Sequence, residues 1–459
     1  MTCAEPGLQA DEGPSKSDYP YNQSKSALLR KRADRVMPGG NTRTTVYRSP
    51  YPVYALSGRG SRVVDVDGIE RSDFLNNYTA LIHGHAHPLI VSKVEAALQL
   101  GSCFGLPTES EIKLAEVLCD RMPSCDAIRF TNSGSEAVMM AVKAARAYTG
   151  RPKIAKCEGV YHGSYDFVEV SLDSNAPGWG ERSRPAGIAY SAGTPEGTLR
   201  DVVVLPFNDA GNTTAILESY SGEIAAVIID PLPNRIGLIP ASQDFLQAVR
   251  AFCSRSGTVL ITDEVISFRM GYHGAQGQFG FKSDLTTFGK VIGGGFPVGA
   301  VAGRREIMSV FDPSAGRPLL PHGGTFNANP ISMTAGLAAM ELLTEAAIDN
   351  LNRVGAEVRA RLQAVFDDYG VAWQVSGLGS LFRIVPTPTK LVDYRSSRPF
   401  GPAGSFLGAF TAALLNHQVL LDPGGLGCVS TTTSPMDVEI LERGAARALC
   451  DAAVPKATQ

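Results

Sequence analysis

The sequence lacks an excess of charge of either sign. Its 459 residues include 42 lysines and arginines against 45 aspartates and glutamates, which leaves a formal net charge of −3. Because binding to the phosphate backbone of a nucleic acid usually requires a strong basic field, we expect no nucleic-acid partner. Hydrophobic residues make up 44% of the chain and charged residues 19%, which favours a globular protein over a disordered one.

Long apolar runs are also missing. No run approaches the roughly 18 residues of a membrane span, and residues 1–14 show no apolar segment of the kind found in secretory signals. The eight cysteines include no pair with the two-residue spacing of a zinc or redox motif, and their scatter indicates reduced thiols. We therefore expect no membrane contact and a cytoplasmic location.

Between residues 75 and 340 the chain alternates short apolar strands with longer helical stretches. This alternation predicts an α/β domain with a mostly parallel central sheet and crossover helices. Binding sites in such sheets lie at the carboxyl ends of the strands. The predicted strands are residues 127–131, 153–156, 202–206, 225–229, 259–263 and 285–289.

The segments before residue 75 and after residue 340 are predicted to form smaller structural units. Residues 1–24 resemble a loose arm, and a helix over residues 25–37 and a strand pair at 51–56 and 62–66 follow. After residue 340, a helix at 348–366, strands at 378–385 and 419–422 and a terminal helix at 437–451 predict a small α+β domain. We assign residues 1–75 to an N-terminal arm with part of the small domain, 76–340 to the large domain and 341–459 to the C-terminal small domain.

A small-residue motif follows the first predicted strand of the large domain. Ser133, Gly134 and Ser135 lie between this strand and a predicted helix. Small residues let the backbone approach an anion, and the free N–H groups at the helix start can bind it. A simple helix cap by Ser133 or Ser135 would explain the same residues.

An acid and a lysine end two later strands. Asp263 ends the strand at 259–263, where a buried carboxylate could keep a pyridine nitrogen protonated; a salt-bridged or capping acid is the alternative. Lys290 follows the strand at 285–289 and precedes Gly293, Gly294 and Gly295. Among such neighbours its ammonium is poorly solvated, which lowers the pKa and favours Schiff-base chemistry. A surface lysine or a dinucleotide loop competes, but the glycine spacing does not match the dinucleotide fingerprint.

Tyr161 and His162 follow the strand at 153–156, and an aromatic ring at this place can stack on a flat cofactor. A tyrosine packed in an ordinary turn is the alternative.

Taken together, these features supply what pyridoxal 5'-phosphate requires. The cofactor needs a lysine for its aldehyde, an acid for its ring nitrogen, an anion site for its phosphate and an apolar face for its ring.

The sequence resembles the class III aminotransferases, which are pyridoxal-phosphate enzymes of fold type I. The likeness is carried by Asn132-Ser133-Gly134-Ser135-Glu136-Ala137, Tyr161-His162-Gly163, Asp263-Glu264-Val265, residues 289–295 and Gly323-Gly324-Thr325-Phe326. It implies a fold-type I sheet, an amino donor and an oxo acceptor as substrates, and ping-pong kinetics.

The resemblance also implies a role for each matching residue. Lys290 would form the Schiff base and act in catalysis, Asp263 would pair with the ring nitrogen, and Val265 and Tyr161 would cover the two ring faces. Ser133, Gly134 and Ser135 would hold the phosphate, and His162, which also matches a family position, is expected to bind the cofactor. Thr325 would reach the phosphate of the neighbouring subunit, so we expect a homodimer with shared active sites.

The substrate is less constrained. The chain most resembles the branch of glutamate-1-semialdehyde aminomutases and β-amino-acid aminotransferases. Residues 38–43 are similar to β-phenylalanine aminotransferases, in which the arginine matching Arg43 binds the substrate carboxylate. A guanidinium can hold a carboxylate with two parallel hydrogen bonds. Arg235 and Arg383 are further anion-binding candidates, and a surface role for Arg43 stays open.

Other features favour different relatives. The insert at residues 164–200 resembles the gating lid of the aminomutase. Many relatives have glutamate where this chain has Asp230, and glutamine where it has Ile266. A 2,1-aminomutase and a non-catalytic pyridoxal-phosphate-binding protein are therefore alternatives to an intermolecular transaminase. His83, His85 and His87 alternate, but the family has a similar stretch without metal, so we expect a structural role and no metal.

Overall fold

The computed structural model describes residues 18–398 and 403–456, so residues 1–17 of the predicted arm lie outside the described part. The strands are β1 (Ala55–Arg59), β2 (Arg62–Asp65), β3 (Glu70–Asp73), β4 (Ala127–Thr131), β5 (Lys153–Cys157), β6 (Gly180–Glu181), β7 (Arg184–Pro185), β8 (Val202–Leu205), β9 (Ile224–Ile229), β10 (Val259–Asp263), β11 (Leu285–Gly289), β12 (Gly299–Gly303), β13 (Gln374–Ser376), β14 (Leu381–Val385), β15 (Val419–Leu420) and β16 (Leu426–Cys428).

The helices are α1 (Lys25–Ala33), α2 (Asn76–Thr79), α3 (Pro88–Leu100), α4 (Glu109–Arg121), α5 (Gly134–Thr149), α6 (Asp166–Glu169), α7 (Glu196–Arg200), α8 (Ala210–Ser219), α9 (Gln243–Ser256), α10 (Gly274–Phe279), α11 (Arg305–Met308), α12 (Pro330–Leu342), α13 (Glu345–Asp368), α14 (Ala403–Asn416) and α15 (Pro435–Asp451). The short turn α2 is left-handed, with φ values of 48° at Asn77 and 56° at Tyr78.

The central sheet has seven strands in the order β4-β12-β11-β10-β9-β5-β8. Strand β12 runs antiparallel to both of its neighbours, and the other strands run parallel. The predicted α/β fold with a mostly parallel sheet is confirmed. Strand β12 was not predicted from the sequence, because its two glycines and two alanines have little β propensity.

Both faces of the central sheet are covered. Every residue of β9 is buried, and its alternate side chains enter two different cores. Val227 and Ile229 pack in one apolar cluster, while Ala226 and Ile228 pack in another that includes residues of α5. Burial on both faces explains why these strands appear in the sequence as unbroken apolar runs.

The ends of the chain meet in a second sheet. Strand β15 pairs in parallel with β3, and β3 continues through β2 to β1. The first strand of the predicted hairpin begins later than expected, at Ala55 rather than at residue 51. Strands β13, β14 and β16 form a separate antiparallel sheet. The domain boundaries at residues 75 and 340 stay a prediction.

No single helix in the described ranges is long and apolar enough to cross a membrane. The helices Pro330–Leu342 and Glu345–Asp368 meet the criteria of length and composition only as a pair, and the chain bends by 78° between them.

Candidate active site

A cavity of about 280 Å³ lies at the carboxyl-end edge of the central sheet. The loops that follow β4, β5, β9, β10 and β11 all contribute to its wall. The structure brings these predicted residues together in this wall: Ser133, Gly134, Ser135, Tyr161, His162, Asp263, Val265 and Lys290.

Lys290 comes directly after β11 with a φ of 50°. A side chain other than glycine in this left-handed region costs of order 1 kcal/mol, and such strain is concentrated at functional sites. Burial lowers the pKa of Lys290 to about 8, although Asp263 and Asp230 nearby oppose the shift. With this pKa, roughly a tenth of the amine is uncharged at pH 7, and the uncharged form is the one that attacks an aldehyde.

Asp263 is held by three hydrogen bonds. Its Oδ1 accepts from the Val265 N–H at 3.0 Å and from the Thr287 hydroxyl at 3.2 Å, and its Oδ2 lies 2.8 Å from His162 Nδ1. Burial lowers the pKa of His162, although its hydrogen bond to Asp263 opposes the shift, so we assign a neutral ring that donates its Nδ1–H. These donors fix the orientation of the carboxylate in the cavity wall.

The start of α5, which is the predicted anion site, lines the cavity. Ser133 caps the helix, since its hydroxyl accepts from the Glu136 N–H at 3.2 Å, and Glu136 accepts in turn from the Asn132 N–H at 2.7 Å. The capping role and the cavity position of Ser133 therefore coexist. A Cβ added to Gly134 would lie 2.9 Å from Val265 Cγ1, so only glycine permits this close approach. The remaining N–H groups at the helix start are suited to a phosphate.

Tyr161 lines the cavity with 41% of its surface still exposed. The chain then turns at Gly163, whose φ is 93° and where an added Cβ would lie 2.6 Å from Ser135 Oγ. The Ser135 hydroxyl accepts a hydrogen bond from the Ser164 N–H at 3.1 Å. This contact fixes the turn that carries Tyr161 against the start of α5.

Arg43 and Thr325 do not line the cavity. Arg43 is exposed and donates from Nη1 to Asn77 Oδ1 at 2.8 Å. Thr325 is also exposed, and its carbonyl oxygen lies 3.9 Å from Cys103 Sγ. Their predicted contacts with substrate and with a partner's phosphate stay predictions.

Arg235 and Arg383 lie close to neighbouring polar groups outside the cavity. Arg235 Nη2 is 3.3 Å from Asp173 Oδ1, in the insert that was compared with a lid. Arg383 Nη1 donates to Asn234 Oδ1 at 2.7 Å, and burial lowers its pKa. Their suggested anion-binding roles also stay predictions.

Of the alternating histidines, His83 and His85 have hydrogen-bond partners in the protein. Both ring nitrogens of His83 are engaged, Nδ1 with Thr431 Oγ1 and Nε2 with the Ala339 carbonyl. His85 Nε2 lies 2.7 Å from Asp73 Oδ2. Within residues 18–398 and 403–456, no group of three or more histidines, cysteines or acids could hold a metal ion.

The cavity wall contains further residues that sequence reasoning did not assign to it. Asp230 follows β9, and Ile266 follows Val265; both had been recorded only as departures from relatives. Phe296, Pro297 and Val298 also belong to the wall. Their place in the sequence could have indicated this role. They follow the three glycines after Lys290 and precede β12, so the chain passes along the cavity there.

The residues of this cavity fit pyridoxal 5'-phosphate. An amine of lowered pKa, a carboxylate fixed by three donors and a helix start cleared of side chains by Gly134 match its aldehyde, ring nitrogen and phosphate. Fold and cavity thus define a fold-type I pyridoxal-phosphate enzyme. Residues 45–419 match the family model of the class III aminotransferases, and the chain belongs to this family.

Individual relatives span nearly the whole chain. An omega-transaminase from Sphaerobacter thermophilus superposes with a TM-score of 0.92 at 53% identity, covering 94% of this chain and 98% of its own. A β-phenylalanine aminotransferase from Variovorax paradoxus gives 0.84 at 34% identity, covering 94% and 96%. A glutamate-1-semialdehyde 2,1-aminomutase from Methanothermobacter thermautotrophicus is 39% identical over 405 residues, 88% of this chain and 93% of the relative.

Proposed function

We propose that the protein moves an amino group from a carboxylate-bearing amine of the β-amino-acid class to an oxo acceptor in two successive half-reactions. The observation that carries this proposal is the meeting of Lys290, Asp263 and the start of α5 around one cavity. The likeness to an omega-transaminase and to a β-phenylalanine aminotransferase supports the substrate class.

Each group has a distinct task in this proposal. Bound pyridoxal phosphate supplies an electron-withdrawing ring that stabilises negative charge on the substrate carbon. Lys290 would anchor the cofactor through its Nζ, and the freed amine would take a proton from the substrate carbon as general base and pass it on as general acid. Asp263, oriented by His162, keeps the ring nitrogen protonated. The N–H groups at the start of α5 hold the phosphate.

We propose that Arg43 binds the carboxylate of the substrate. Among the described residues no carboxylate lies within 4.0 Å of its guanidinium; Asn77 is a neutral partner. A charged hydrogen bond contributes about 1.5–3 kcal/mol. Arg43→Ala should therefore raise KM for a β-amino acid by roughly 10- to 150-fold and leave KM unchanged for the corresponding amine without a carboxylate.

The matched control is Arg35→Ala, which removes another exposed arginine and should leave both KM values unchanged. The assay measures initial rates with each amine and one oxo acid. Equal KM for the β-amino acid in wild type and Arg43→Ala would reject this role of Arg43, without affecting the assignment of Lys290.

A 2,1-aminomutase is the second candidate, because relatives of that name reach 40% identity over 410 residues. An aminomutase moves the amino group within one molecule and needs no second substrate. Glutamate-1-semialdehyde alone should therefore be turned over many times by an aminomutase. A transaminase given only an amino donor should stop after one equivalent, when all of its cofactor is aminated.

A homodimer is also part of the proposal. Leu100, Phe104 and Leu106 are 82%, 48% and 77% exposed, and Phe326 is 61% exposed beside Thr325. The contact of Cys103 with Thr325 brings these two apolar segments side by side. Such a surface supports association with a second copy. Light scattering of the holoenzyme should give the mass of a dimer, and a monomer would contradict this part of the proposal.

A further inference from the structure

Asp230 is a second acid in the wall of the cofactor cavity, and the mechanism above gives it no task. It follows β9 directly and is only 5% exposed. Its Oδ1 accepts a hydrogen bond from the Leu232 N–H at 2.9 Å. Asp263 and Lys290 belong to the same wall.

Two neighbouring buried carboxylates do not both keep their charge easily. Asp263 accepts from a ring N–H, a backbone N–H and a hydroxyl, whereas Asp230 accepts from the Leu232 N–H. Asp263 also ends the strand nearer to Lys290. Burial first, and then the charge of Asp263, raise the pKa of Asp230. Asp230 is accordingly the member of the pair that takes up a proton.

The strand order places Asp230 relative to the cofactor ring. Along the sheet, the phosphate site follows β4, Lys290 follows β11, Asp263 ends β10 and Asp230 follows β9. In pyridoxal phosphate, the carbon that bears the aldehyde lies between the carbon with the phosphate arm and the carbon with the phenolic oxygen. With the phosphate on the β4 side and the aldehyde at Lys290, the phenolic oxygen would face the β9 side.

We propose that Asp230 is a positioning residue that donates a hydrogen bond from its protonated carboxyl group to the phenolic oxygen of the bound cofactor. The side chain of Ile266, which also belongs to the wall, is apolar and has no hydrogen-bond donor. This inference rests on the proposed anchoring of the cofactor by Lys290.

This role determines whether Asp230 raises or lowers the pKa of the Lys290 nitrogen that is linked to the cofactor. A donor withdraws electron density from the phenolic oxygen and makes the cofactor-linked nitrogen of Lys290 less basic. Asp230 in its acid form therefore lowers the pKa of that nitrogen. An ionised Asp230 would raise it instead, because a nearby negative charge favours the protonated form. The two protonation states of Asp230 thus predict opposite effects of removing it.

The test is a pH titration of the visible absorbance of the holoenzyme. Asp230→Ala and Asp230→Leu, of which leucine keeps the shape, should raise the apparent pKa of the absorbance change by about one unit or more. Asp230→Asn keeps a donor of similar size and should stay within about 0.3 units of wild type. Thermal unfolding and cofactor content of each variant are measured in parallel.

The opposite pattern would overturn the proposal. A lower apparent pKa in both Asp230→Ala and Asp230→Asn would mean that Asp230 is ionised, and an unchanged value in all variants would mean that it does not contact the phenolic oxygen. If Asp230→Ala does not fold, Asp230→Leu decides, because it also removes the donor and keeps the shape of the side chain. A wild-type protein without any titrating visible band would instead reject the anchoring by Lys290.

Discussion

Replacing His162 tests how the cavity holds Asp263, the acid that we propose pairs with the ring nitrogen of the cofactor. His162 is 1% exposed, and its Nδ1 lies 2.8 Å from Asp263 Oδ2. His162→Ala removes this donor and leaves Asp263 with the Val265 N–H and the Thr287 hydroxyl on its other oxygen. The carboxylate then loses the contact that orients Oδ2 in the cavity.

The expected loss of cofactor affinity follows from the strength of the hydrogen bond between His162 and Asp263. A hydrogen bond to a charged group contributes about 1.5–3 kcal/mol. If this contribution is lost from the contact between Asp263 and the ring nitrogen, His162→Ala weakens cofactor binding by roughly 10- to 150-fold. His162→Asn places an amide N–H near the position of Nδ1 and should retain most of the affinity.

The assay titrates the apoenzyme with pyridoxal phosphate and follows the visible absorbance of the bound form. Thermal unfolding of the apoenzymes separates an effect on binding from a general loss of stability. If His162→Ala binds the cofactor as tightly as wild type, or if His162→Asn loses as much as His162→Ala, the hydrogen bond does not have the assigned role.

Cofactor uptake by the apoenzyme should accelerate from about pH 7 to about pH 9 and then level off, because burial lowers the pKa of Lys290 to about 8 and the neutral amine reacts. A stopped-flow rate that keeps rising towards the ordinary lysine value of 10.5 would contradict this. Gly163→Ala should reduce cofactor affinity about tenfold or more, since its φ is 93° and a Cβ would lie 2.6 Å from a serine hydroxyl of the phosphate site. Gly222→Ala is the matched control, with a φ of 88° and no atom within 4 Å, and should leave affinity unchanged. Arg395→Ala should destabilise the fold by about 3–5 kcal/mol. Glu158 is nearly buried and accepts two hydrogen bonds from Arg395, at 2.9 and 3.2 Å, so the substitution leaves a buried carboxylate without its partner. An unchanged melting temperature would refute this prediction.

The central sheet could be predicted where burial alone determines a strand. Strands β4, β10 and β11 have the predicted bounds; β10 and β11 are buried throughout, whereas three residues of the edge strand β4 are only half-buried. Strand β12 could not be predicted, since its residues form a strand only through the hydrogen bonds of β4 and β11. Tertiary pairing, rather than local preference, decides such a segment.

The cavity residues were predictable because a parallel sheet brings the ends of its strands to one edge. Lys290, Asp263 and Ser133 are far apart in sequence yet line one cavity. The proton on Asp230 could not be predicted, because it depends on the distance between two acids and on their donors. The contacts of Thr325 depend on a second subunit, and they stay predictions, as does the cytoplasmic location.

The central claim is that Nζ of Lys290 bonds the cofactor aldehyde. Borohydride reduction of the holoenzyme makes that bond permanent, and mass spectrometry of the peptides then locates the pyridoxyl group. Lys156 is the informative competitor, because burial lowers its pKa to about 8 as well, but its Nζ donates to the carbonyls of Cys157 and Val170. The account predicts the label on Lys290, and a label on Lys156, or none on Lys290, would contradict it.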